Sequence, residues 1–395
     1  MSKIYTSLGL MSGTSMDGID ASIVTSDGVT HYEAVYNKYF EYNDELYENL
    51  TVTRDKINAS EDLKTLSTDL KALEREITLF HAEVVNEILK ETNVNIDFLG
   101  FHGQTIFHNS EEKISKQLGD GNLLSQLTRK VVIYDFRKND LLNGGQGAPL
   151  TPIFHKMIAS NFNRKFKIKR PIFILNIGGI SNLTQIQETQ ESSIEIFACD
   201  IGPGNCLIDE WIRKNSKKKY DNNGLIAKSG KINKLILNQA LENFSFESTR
   251  KSSKKISLDT KDFDISFIRG LSLEDGAATL TEYTATTIVQ GLLKEISNFP
   301  RTIRILLCGG GRKNEYLIDS IIKKGTESLR MNKKSLNEML FEPIDKYDVD
   351  GDFIESQAFA YLAIRSYLEL PISFPYTTGC KNKFGCTGGV LVKNY

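Results

Sequence analysis

Three stretches of this sequence share one design, an apolar strand that runs straight into a glycine-rich turn: Ile4 to Leu10 into Ser12 to Gly18, PIFILNI into Asn176 to Ser181, and TIRILLC into Gly309 to Gly311. Glycine admits positive φ and close backbone approach, so successive N–H groups in such a turn can converge on phosphate oxygens. One such turn alone reads as an ordinary hairpin; three at strand ends point to phosphate handling. None matches G-x-x-x-x-G-K-[ST] or G-x-G-x-x-G, so neither a Walker ATPase nor a Rossmann dehydrogenase is indicated. The first turn is followed by a strand at Ile19 to Thr25. The second is followed by the strands of ISNLTQIQ and IEIFACDIGPG, joined by a polar tip at Glu188 to Ser193. Strand, glycine turn and strand thus occur twice, a duplication of pattern and not of sequence identity.

At 395 residues the chain exceeds what one hydrophobic core usually supports, so two lobes are expected. Leu63, Leu66, Leu70, Leu73, Ile77, Phe80, Val84 and Ile88 recur at steps of three and four, the core stripe of one long helix ending near Asn93. IDFLGFHGQTIFH reads as a buried strand ending in a glycine-bearing turn. KVVIYDF is a further strand, and RKNDLLNGGQGAPLTP an irregular loop that enters a helix through His155 and Ile158. This loop marks the transition between lobes: residues 1–140, with a C-terminal helix in about 355–395 packing back, form the first, and 141–354 the second. Helices are expected at Cys206 to Arg213, Glu274 to Ile296 and Phe353 to Leu368, and Ser245 to Asp264 is expected as loop.

The charge balance, Lys+Arg 49 against Asp+Glu 50, recommends neither nucleic acid nor an anionic membrane as partner. The lysine clusters at 217–219 and 251–255 read as solvated faces. With no secretory signal and no run approaching the ~18 apolar residues of a membrane helix, the cytoplasm is the expected compartment. Five cysteines without a C-x-x-C read as free thiols, and no structural metal is expected.

Within the first turn, the Thr14 and Ser15 hydroxyls can donate to a phosphate, and Asp17 and Asp20 can hold Mg²⁺; the same composition also makes a common turn. Asp200 in CDIGPGN ends a buried strand and is followed by two glycines and a proline, a placement suited to a general base or to capping the turn. His102, Gln104, Arg137 and Asp140 are polar groups suited to sugar hydroxyls or an anionic substituent, with Arg137 the carboxylate fork. His108 and His155 read as structural histidines.

LGLMSGTSMDGIDASIV, FHGQTIFH, YDFRKNDLLNGGQGAPLTP, LNIGGISNLT, CDIGPGN, EDGAATLTEYTA, CGGGRKN and GDFIESQAFAYLA resemble, in order, the motifs of the 1,6-anhydro-N-acetylmuramic acid kinases, from residue 8 to about residue 365. The resemblance implies an α/β, two-lobed actin-like (ribonuclease H-like) sugar kinase fold with ATP in the cleft between lobes. It implies opening of a 1,6-anhydro ring by water at C1 while the freed O6 takes the γ-phosphoryl group. Asp200 would activate the water, with Glu355 beside it. Gly13, Thr14, Ser15, Met16, Asp17, Gly18, Ile19 and Asp20 would surround the phosphates, joined by Gly178 and Gly179 and by Gly309, Gly310 and Gly311. Gly145 would join His102, Gln104, Arg137 and Asp140 at the sugar. A homodimer is implied on the same footing. Two rivals are a kinase of another anhydrosugar such as levoglucosan and an actin-like or chaperone-like ATPase without sugar. The chain departs from the family pattern at KKISLDTKDF, which lacks a proline, and at TTGCKNKFGCTGG, which has extra residues and two cysteines.

Overall fold

The apolar runs read as strands are buried along nearly their whole length in the computed structural model, as strands covered on both faces must be. The structure describes residues 3–169, 171–188, 194–244, 258, 260–296, 302–332 and 338–395. The polar tip at 189–193, and residues 245–257 and 259 of the expected loop with its lysine cluster, lie outside the described residues. The chain forms two compact units, Met1–Asn161 with Phe353–Tyr395, and Phe162–Asp352.

In the first unit, β1 (Tyr5–Ser12) pairs antiparallel with β2 (Gly18–Ser26), and β2 antiparallel with β3 (Tyr32–Glu41). On its other side β1 runs parallel to β4 (Phe98–Asn109), which carries β5 (Ile114–Leu118) as a hairpin and runs parallel to β6 (Val131–Tyr134). In the second unit β7 (Ile172–Ile177), β8 (Ile180–Glu188) and β9 (Ile194–Pro203) form an antiparallel meander. There β7 runs parallel to β10 (Ile303–Cys308), and β10 to β11 (Met339–Pro343). Parallel neighbours need crossover connections, and the helices Ser67–Thr92, Leu273–Ile296 and Glu315–Asn332 lie in them. The sheet orders are β12-β6-β4-β1-β2-β3, closed by β12 (Val390–Val392), and β11-β10-β7-β8-β9. Both contain the same five-strand arrangement, a three-strand meander whose first strand continues into two parallel strands. The pattern duplication is therefore a duplication of topology, and it is the ribonuclease H-like arrangement that the resemblance implied.

The helix Ile354–Tyr367 is buried over most of its length and lies directly on β1 and β4. A Cβ at Gly9 would sit 2.0 Å from Ser356 O, and one at Gly100 2.3 Å from Phe359 O, so these two glycines permit the close helix–sheet approach. The helix is held further by Tyr361 and Arg365, which donate to Gly28 O at 2.9 and 2.7 Å.

Several local readings change. The stripe from Leu63 to Ile88 divides into Asp62–Thr65 and Ser67–Thr92, because Leu66 leaves helical geometry; the second piece ends in left-handed Asn93, as expected. No turn occurs at Gly103: β4 continues to Asn109, and a Cβ there would meet Leu118 O of β5 at 2.5 Å. Strand β3 and the helix Asp44–Lys56 carry weak periodicity and were not anticipated. Residues 141–161, expected in the second lobe, belong to the first unit. The reason is local bonding: Gln146 N donates to Thr378 O, Lys381 N donates to Asn143 O, and Phe154 packs on Tyr32 and Tyr361.

Candidate functional site

In the first unit, the hairpin between β1 and β2 carries Gly13 to Asp17 at its tip. Met16 N donates to Gly13 O, and Met16 takes positive φ (58°) while its side chain is buried in the core, which pins the turn from below. Thr14 and Ser15 remain exposed, and Ser15 donates to Asp17 Oδ1 at 2.5 Å. Asp17 and Asp20 are half-buried; after burial, the charges of Asp17, Glu41 and Asp20 hold the Tyr39 phenol above its ordinary range, so the loop is acidic on this side. Gln104 is fully buried, donating to Gly13 O at 2.9 Å and lying 2.5 Å from Ser12 Oγ, to which Tyr42 also bonds. It braces the turn from within.

His102 and Arg137 meet each other. His102 Nδ1 donates to Gly103 O, which leaves Nε2 to accept from Arg137 Nη2 at 3.0 Å, while Arg137 Nη1 donates to Gly147 O. Burial and the Arg137 charge hold His102 well below its ordinary pKa, so it is a neutral acceptor. Phe359, four residues after Glu355 on the helix Ile354–Tyr367, packs on the His102 ring in a tilted arrangement, centroids 4.5 Å apart. Asp140 is buried and accepts from Gly147 N, Ser373 Oγ and Thr378 Oγ1 at 2.5–2.7 Å. A Cβ at Gly145 would lie 2.1 Å from that carboxylate, so Asp140 and Gly145 form one packed element of the 143–147 loop. His155 is buried, and burial pushes its pKa down to about 3; His108 bonds Ser115. Both fit the structural roles expected of them.

In the second unit two turns lie side by side, because β7 and β10 are neighbouring parallel strands paired at Asn176 and Cys308. Gly309 (φ 80°) and Gly311 pack on the end of β7: added Cβ atoms would meet Asn176 Oδ1 at 2.2 Å and Ile177 Cγ2 at 2.3 Å. The turn at Gly178 and Gly179 is stapled to the segment after Asp200, since Gly204 N donates to Gly179 O and Asn205 N to Gly178 O. The sequence motifs around Gly178, Asp200 and Gly309 therefore converge, while Glu355 and the first turn belong to the other unit. Asp200 is nearly buried and accepts from Leu258 N at 2.6 Å.

The glycines of these turns divide into two kinds. Gly18, Gly204, Gly309 and Gly311 have no room for a side chain. A Cβ at Gly310 would meet nothing within 4 Å among the described residues. One at Gly13 or Gly178 would meet a single atom, at 3.7 and 3.6 Å. Packing does not explain glycine at these three positions, one per turn.

Three further residues escaped the sequence reading. Asn182 pairs directly with Asp200 across β8 and β9, so both side chains project to one face, and its buried Oδ1 has no hydrogen-bond partner among the described residues. Asp135, in the left-handed region (φ 55°), borders a cavity of about 670 Å³ with His102, Lys116, Tyr134, Lys138 and Leu141; burial pushes its carboxyl up. Arg312, directly after the third turn, donates to Gly309 O, bidentately to Asp345 and to Asp352, which fixes the turn against the 345–352 loop. Asn182 and Arg312 stand inside motifs already singled out, but only the register and the ion pairs give them roles.

A family model described as anhydro-N-acetylmuramic acid kinase matches residues 5–392. A protein of that name from Pelagibacter ubique is 53% identical over 396 residues, covering 100% of each chain. Proteins of the same name from Brucella canis and Agrobacterium fabrum are 37% and 36% identical over 401 residues, again covering 100% of each chain. The order of motifs, the duplicated topology and the full-length matches agree, and the chain belongs to the anhydro-N-acetylmuramic acid kinase family.

Proposed function

We propose that this protein is a phosphotransferase that uses ATP and water to convert 1,6-anhydro-N-acetylmuramic acid into N-acetylmuramic acid 6-phosphate. The observation that carries the reading is the set of three glycines, Gly13, Gly178 and Gly310, that no packing contact requires, each in a turn at the end of a sheet strand. Backbone N–H groups there would cradle the phosphates of ATP. Water attacks C1, its proton passes to the Asp200 carboxylate, the C1–O6 bond breaks, and O6 takes the γ-phosphoryl group as ADP leaves. Attack opposite the leaving oxygen is the geometry of an inverting glycosidase, with phosphoryl capture of O6 in place of a general acid. Asn182, beside Asp200 with an Oδ1 that has no hydrogen-bond partner among the described residues, would orient the same water, the one on which the resemblance also has Glu355 act.

Asp17 and Asp20 are hard oxygen donors on the acidic side of the first turn and fit Mg²⁺, which neutralises phosphate charge when bound. Because Arg137 is engaged with His102 and Gly147, we assign the lactyl carboxylate of the sugar to Lys138 at the cavity beside Asp135, and assign His102, Gln104, Arg137, Asp140 and Gly145 to positioning. We further place the protein in the cytoplasm, as a homodimer acting in the recycling of cell-wall peptidoglycan. The test is Asp200→Asn: sugar phosphorylation should fall by several orders of magnitude with ATP affinity nearly kept. If ATP binding collapses with it, Asp200 is structural.

A further inference from the structure

The C-terminal departure from the family pattern, TTGCKNKFGCTGG, places two cysteines beside Asp140. Asp140 Oδ and the Sγ atoms of Cys380 and Cys386 all lie within 4.8 Å of one another, and all three residues are buried. We propose that Asp140, Cys380 and Cys386 form a binding site for a thiophilic divalent cation, zinc(II) by its ligand chemistry. Two sulfurs and a carboxylate oxygen are a donor set that zinc takes at bonds of about 2.0–2.3 Å, which asks the side chains to close by roughly 1 Å.

The surroundings are those of a ligand set. Ser373 and Thr378 donate to Asp140 Oδ1 and Gly147 N to Oδ2, bonds that fix the carboxylate's direction and still leave it accepting capacity on Oδ2. These three partners are all neutral, so they leave the carboxylate's charge uncompensated. Ser373 also pairs with Cys386 through the backbone, N to O in both directions, which holds the second cysteine against the carboxylate. A cation here ties the 380–386 loop to the helix Lys138–Leu142 and, through Gly147, to the 143–147 loop. The spacing C-x₅-C hid the site, because its third ligand lies far away in sequence.

The test uses the full chain, purified with reductant and without metal, then given zinc or cobalt(II) and dialysed. The wild type should retain about one zinc per chain, and cobalt should give a thiolate charge-transfer band with the strong visible absorption of a tetrahedral site. Cys380→Ser, Cys386→Ser and Asp140→Asn should each weaken retention at least tenfold, and Cys199→Ser should not. No retained zinc, a cobalt spectrum without the thiolate band, a disulfide formed under reductant, or retention unchanged in Cys380→Ser and Cys386→Ser would each overturn the proposal. The cobalt spectrum of the wild type decides the matter even if a variant fails to fold.

Discussion

The division of the turn glycines into packed and unpacked ones makes a paired prediction at Gly310 and Gly311. Alanine at Gly311 places a Cβ 2.3 Å from Ile177 Cγ2 and 2.9 Å from Ile177 O, and the second of these is backbone that cannot turn aside. Overpacking of this kind costs about 1–3 kcal/mol, and at roughly 2–4 °C per kcal/mol for a domain of this size the melting temperature should drop by about 2–12 °C. Alanine at Gly310 meets nothing within 4 Å among the described residues, and replacing glycine at a compatible position restricts the unfolded chain, so its stability should be unchanged or raised by up to about 1 kcal/mol. Its effect should appear on ATP instead, where a methyl group between the backbone and the phosphates should weaken binding at least tenfold. Thermal melts without nucleotide and calorimetric titration with ATP separate the two. The reasoning fails if Gly310→Ala binds ATP like the wild type, or if it melts as low as Gly311→Ala.

Arg312 is only 9% exposed in its side chain while Asp345 and Asp352 are 40% and 29% exposed, so its clamp stands between a surface ion pair and a buried one. Arg312→Met should cost about 2 kcal/mol, or roughly 4–8 °C in a melt; an unchanged melting temperature would show the clamp idle. Burial opposes ionisation of Asp345 and Asp352, but the Arg312 bonds outweigh it and depress both carboxyls. Their contribution is therefore full above the unfolded value of about 3.9 and is lost as pH falls through the folded values, so the stability gap between wild type and Arg312→Met should narrow below about pH 4. Asn182→Leu removes a buried oxygen that has no partner among the described residues and should leave the melt unchanged or higher while turnover falls at least tenfold; a lower melt with intact turnover would make Asn182 structural. Lys138→Met should raise KM for anhydromuramic acid and leave that for levoglucosan, which lacks the carboxylate, unmoved; equal effects on both sugars would contradict the assignment of the carboxylate.

Much of the architecture was legible because its signals are local. Strands covered on both faces read as apolar runs, and the three glycine turns at their ends stood out before any pairing was known. What remained hidden depends on contacts between distant residues. Arg137 reads as a free carboxylate fork until His102 and Gly147 are found to hold it, and Asp140 as a sugar ligand until Ser373 and Thr378 enclose it. Asn182 looks like one more polar residue after a glycine pair until the β8–β9 register sets it opposite Asp200. Strand β3 was missed because its alternation is weak and none of its positions is fully buried.

The most direct test of the central claim is turnover in ¹⁸O-water with ATP and 1,6-anhydro-N-acetylmuramic acid, followed by mass spectrometry of the 6-phosphorylated sugar. Water attack guided by Asp200 predicts label at C1 and none in the phosphate, with product formation lost in Asp200→Asn. Phosphorylated product with unlabelled C1, or label in the phosphate group, would contradict it.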